Sequence, residues 1–86
     1  MAYTEVMKYI VVIEQTKTGY SAFLPDLPGC IAAGSTREQV MQLLAEAVPD
    51  HIQLMREHGE TIPEPSTEIR NLEIAADSDK LKSAPI

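Results

Sequence analysis

The eight residues Phe23–Cys30, "FLPDLPGC", hold two prolines, a glycine, an aspartate and the chain's one cysteine. Neither a helix nor a central strand can run through them. Proline has no amide hydrogen to donate, and the residue ahead of a proline is held extended. The stretch therefore divides what lies on either side. "YSAFLPD", Tyr20 to Asp26, reads as a strand that stops at Pro25, with Tyr20, Ala22 and Leu24 on one face and Ser21 and Phe23 on the other. "CIAAGS", Cys30 to Ser35, reads as a small-residue strand against which a helix can pack closely. Between them Pro28 presets the second position of a type II turn, and Gly29 tolerates the positive φ of the third. Pro25, Asp26, Leu27, Pro28 and Gly29 are thus read as a structural turn.

Upstream, "MKYIVVIEQ", Met7 to Gln15, is β-branched and aromatic and scarcely alternates. A strand apolar on both faces is covered on both, which predicts a central strand. The turn "TKTG" follows, with Gly19 free to take positive φ. Downstream, "STREQ" opens a helix: Ser35 with Glu38, or Thr36 with Gln39, fits a capping box. Val40, Leu43, Leu44, Ala47, His51 and Met55 keep helical spacing, widened by Val48 and Ile52. The stripe stays in phase through Pro49, which predicts one kinked helix ending at Gly59. "ETIPEPSTE" is an extended connector, and Glu68 to Ile74 reads as a fourth strand. The order β-β-β-α-β predicts an α+β fold: a small antiparallel sheet with one helix on one face. Residues 1–75 form the domain and 76–86 a flexible tail.

At 86 residues the chain has room for one small core. One helix cannot cover both faces of the sheet, so a homo-oligomer, at least a dimer, is expected. Thirteen acids against seven Lys and Arg give a net charge of -6, which disfavours DNA and RNA and suits a basic protein partner. A single cysteine forms no intrachain disulfide, and the longest apolar run, Tyr9–Ile13, is too short to span a membrane. A cytoplasmic protein is expected.

Catalytic and metal chemistry find little purchase. Cys30 with His51 or His58 would be a nucleophile pair, yet nothing basic lies near Cys30 in sequence to lower its pKa. His51 lies on the apolar stripe and His58 in the last helical turn, where a cation suits the macrodipole. They are seven residues apart, not the four that lets a helix chelate a metal. Glu14, Asp26, Glu46 and Asp50 read as turn or solvent-face charges. No enzyme and no cofactor is predicted.

Together "YSAFLPDLPGCIAAGSTREQVMQLLAEA" and "GETIPEPS" resemble the HicB-type antitoxin family in its short form, over about Tyr9 to Ser66. The resemblance implies a sheet like a cut-down RNase H. It also implies an antitoxin that neutralises a small basic, mRNA-cleaving toxin of the HicA type by occlusion, with no catalytic residues of its own. Full-length relatives carry a C-terminal DNA-binding domain; Thr67 to Ile86 is too short for one, so no direct DNA binding is expected. Pro49 departs from the family pattern. The competing reading is an orphan oligomeric domain of this type with a different protein or small-molecule partner.

Overall fold

The computed structural model describes residues 6–76. Three antiparallel strands, β1 (Val12–Gln15), β2 (Tyr20–Phe23) and β3 (Ile31–Gly34), precede one long helix, α1 (Arg37–Glu57). The sheet order is β1-β2-β3, with Ile13, Ala22 and Ala32 in one cross-strand row and Val12, Phe23 and Ile31 in the next. Because side chains alternate along a strand, these rows lie on opposite faces. α1 packs on β2 and β3 over the first row. The core is Ala22, Leu24, Leu27, Cys30, Val40 and Leu44, with Tyr9, Val11 and Ile13 against it.

"FLPDLPGC" folds as two successive β-turns. The Leu27 amide donates to the Leu24 carbonyl at 3.2 Å, and the Cys30 amide donates to that of Leu27 at 3.4 Å. Each turn has a proline at its second position, and Gly29 has φ +93° at the third position of the second turn. Leu27, between the turns, is fully buried. The double turn therefore both reverses the chain and plugs the core.

Thr36 caps α1: its hydroxyl accepts from the Gln39 amide at 3.0 Å. Ser35 plays the complementary part, donating its amide to Gln39 Oε1 at 2.7 Å. α1 is one helix through Pro49, which is exposed, as is Ala45, whose carbonyl has lost its intrahelical donor. A Schellman motif ends it, with Glu60 N–H on Met55 O and Gly59 N–H on Arg56 O.

Three expectations are corrected. β1 is an edge strand and not a central one; its ladder stops at Val12↔Phe23 because β2 turns away at Pro25, so Met7–Val11 runs on without a strand partner among the described residues. Gly19 is not at positive φ. It is needed for close approach, since a Cβ there would collide with the Gly34 carbonyl oxygen. Glu68–Ile74 forms no strand among the described residues: Ile69, Leu72 and Ile74 are 71%, 84% and 72% exposed. A strand exists only with a ladder partner, and this segment meets none within residues 6–76. The expected tail, from residue 77 onward, lies outside the described residues.

Gly29→Val should destabilise the fold. The side chain would be forced into the left-handed region, and its Cβ would meet His51 Cε1 at 3.3 Å. A loss of about 1–2 kcal/mol is expected, read as a drop of roughly 4–16 °C in the thermal midpoint followed by circular dichroism.

Candidate partner-binding surface

The double turn holds down the connector. Asp26, at the third position of the first turn, accepts hydrogen bonds from two residues about forty positions away. Its Oδ2 takes the amides of Ser66 (2.9 Å) and Thr67 (2.8 Å), and its Oδ1 takes their hydroxyls (3.1 and 2.8 Å). These bonds, led by the Thr67 amide, pull the Asp26 carboxyl from its ordinary 3.8 to about 2. Four donors on an ionised acceptor form a latch of charge-assisted bonds. The Tyr9 hydroxyl supplies a second fastening by donating to the Pro63 carbonyl. Burial, then the Asp26 charge, raises the Tyr9 pKa, so the phenol keeps the proton it donates.

With the connector fastened, α1 presents distinct stripes. Val40, Leu44, Val48, Ile52 and Met55 face the sheet. Leu43 and Ala47, expected in the core stripe, are exposed and continue as a second apolar stripe to Leu54. Beside it Gln42, Glu46, Asp50, Gln53 and Glu57 recur at helical spacing on the exposed side, three acids with no base among them. Arg37 lies apart, its guanidinium 4.7 Å from the centre of the Tyr20 ring.

A groove of about 340 Å³ lies between the C-terminal half of α1, the second turn and the connector. Pro28, His51, Leu54, His58 and Pro63 are among the residues that line it. The structure thus brings His51 beside Gly29, half-buried, and leaves His58 exposed. Cys30 is buried, and burial raises its thiol pKa, the opposite of what activates a nucleophile. Among the described residues no three His, Cys, Asp or Glu side chains gather to hold a metal, and no helix is long and apolar enough to cross a membrane.

The family described as HicB-like antitoxin of bacterial toxin-antitoxin systems matches residues 9–81. The chain belongs to the HicB-like antitoxin family. Among individual relatives, an uncharacterised 14.9 kDa protein of Haemophilus phage HP1 is 40% identical over 57 residues, 66% of this chain and 43% of the phage protein. A UPF0150 protein of Thermoplasma acidophilum is 35% identical over 63 residues, 72% of this chain and 91% of its own. Antitoxin HicB 2 of Photorhabdus laumondii is 33% identical over 61 residues, 71% of this chain and 44% of the antitoxin. The chain thus matches less than half of the phage protein and the Photorhabdus antitoxin, and nearly all of the archaeal protein. The fold matches a chain of the solved HicA3 and HicB3 toxin-antitoxin complex with a TM-score of 0.59 and 30% identity, over 70% of each chain.

Sequence reasoning took Asp26 for a turn residue and missed its partners. The available signal was a serine-threonine pair placed directly after "IPEP". The latch should be pH-dependent. A depressed folded pKa means that its stabilisation is complete above 3.8 and disappears as pH falls through about 2. The difference in thermal midpoint between the wild type and Asp26→Asn should accordingly be constant above about pH 5 and vanish towards pH 2. A difference that grew on acidification would refute the latch.

Proposed function

We propose that this chain acts as an antitoxin module that binds a small basic, mRNA-cleaving toxin of the HicA type in the cytoplasm and masks it by occlusion. The observation that carries this reading is the acid-only stripe of Glu46, Asp50 and Glu57 beside exposed Leu43, Ala47 and Leu54, on a chain whose fold matches a chain of a toxin-antitoxin complex. A surface that grips RNA is basic, and an acidic helix flanked by apolar side chains offers it charge and contact area together. The net charge of -6 adds long-range attraction. Masking needs no chemistry from the masking chain, so no residue here is assigned a catalytic role. α1 turns acids outward and repels phosphates, so this unit does not bind operator DNA.

A second reading keeps the fold and changes the partner. It is favoured by the archaeal relative, matched over 91% of its length, in which this fold makes up nearly the whole protein. An orphan oligomeric domain would then use the groove at Pro28, His51 and Pro63 for a different protein or a small molecule.

Calorimetry against a purified small basic toxin of the HicA type separates the two. Binding should weaken steeply as salt rises from 0.1 to 1 M, where the Debye length shrinks from about 10 to about 3 Å. The triple variant Glu46→Lys, Asp50→Lys, Glu57→Lys should lose about tenfold or more in affinity, and a gel shift with the gene's own promoter should show no complex. Affinity indifferent to both salt and the charge reversal would contradict the first reading.

A further inference from the structure

Two features of the backbone remain without partners among the described residues. From residue 68 to residue 76 the chain is neither helix nor strand, with Ile69, Leu72 and Ile74 each more than 70% exposed. Met7–Val11 is the apolar continuation of β1, and neither it nor the outer edge of β1 is paired among the described residues. On the sheet face away from α1, the row Val12, Phe23, Ile31 ends in Ile31, 73% exposed.

We propose that two copies of this chain exchange strands: Glu68–Ile74 of each copy adds to the open edge of β1 and its Met7–Val11 lead-in in the other. An unpaired strand edge is a template for another chain, and a segment with exposed aliphatic side chains and no ladder is what such an edge accepts.

The pairing has a register. Run antiparallel with Lys8 opposite Glu73, it sets Tyr9 opposite Leu72, Met7 opposite Ile74 and Val12 opposite Ile69. Directly opposed residues share a face. Ile69 thereby extends the outer row Val12, Phe23, Ile31, while Leu72 joins Tyr9, which already packs against the core. The one opposite-charge pair and these three apolar pairs fall into place together, with the charged Arg70 and Glu68 at the segment's start set opposite Val11 and Ile13. Sliding by two residues puts Glu73 opposite Ile10 or Val6, and sliding by one moves Ile69 off the outer face.

In this antiparallel register, chain length makes the partner a second copy. Asp26 lies three residues beyond Phe23, the partner of Val12, so the latch and the Tyr9–Pro63 bond hold the connector near the Tyr9 end of β1. To reach its own Val12 the chain would have to advance about 10 Å along β1 and then reverse. The two residues from Thr67 to Ile69 span at most about 7 Å. A second copy imposes no such reversal. Two reciprocal additions, with Phe23 and Ile31, approach the roughly 20 residues a side of a stable interface.

The proposal does not depend on the toxin reading, and the test uses the full chain alone. Light scattering at about 100 µM should give a dimer; a monomer there, weaker than typical specific association, overturns it. Amide exchange should show Tyr9 and Val11 protected in the dimer. Leu72→Asp, at a side chain 84% exposed within its own protomer, should return the chain to monomer with its circular dichroism unchanged and speed exchange at those amides at least tenfold. A variant that stays dimeric, or protection of Tyr9 and Val11 that persists in a monomer, overturns the exchange.

Discussion

Asp26 is one carboxylate with four donors, and every donor comes from two consecutive residues about forty positions away. Three strands and a helix are held by ladder bonds and a core of six buried residues, while the connector after α1 is kept down by hydrogen bonds and by half-buried Ile62 and Pro63. Without that anchorage, two prolines would leave it extended and free over the double turn. With it, the groove beside His51 has a fixed wall, and the apolar segment beyond Thr67 leaves the protomer from a fixed point. Partner binding and self-association, as proposed here, both depend on where this carboxylate holds the chain.

The acceptor is local, but its partners are not, and that decides what could be read in advance. Periodicity and turn chemistry are short-range signals. They located Pro28 and Gly29, the face shared by Ala22 and Leu24, and a helix start capped by Ser35 or Thr36, of which the structure selects Thr36. Leu27 shows the limit: a residue before proline reads as extended, and nothing nearby says that two linked turns drive its side chain into the core. Gly19 reads as a turn residue, yet its constraint is the carbonyl of Gly34, on another strand.

Edge and centre are likewise not properties of a strand's own residues. Tyr9–Ile13 is apolar on both faces, which says that both should be covered, without saying by what. In one protomer α1 covers one face and β1 stays at the edge. Glu68–Ile74 has strand-forming residues and no ladder among the described residues of its own protomer. The two discrepancies are complementary, and a second copy resolves both. Helix α1 carries the other ambiguity: Leu43 and Ala47 keep the spacing of the core stripe but lie one step around the helix, on the exposed side next to the acids. There they add apolar area to a charged surface, which suits the basic partner proposed above.

Amide hydrogen exchange at Ser66 and Thr67 tests the latch most directly, because both amides lie in an otherwise irregular, water-facing segment. In the wild type at neutral pH they should exchange at least tenfold more slowly than an unstructured chain. In Asp26→Ala they should reach that unprotected rate while the amides of the β1–β2 ladder stay slow. Unprotected exchange at Ser66 and Thr67 in the wild type would contradict the latch.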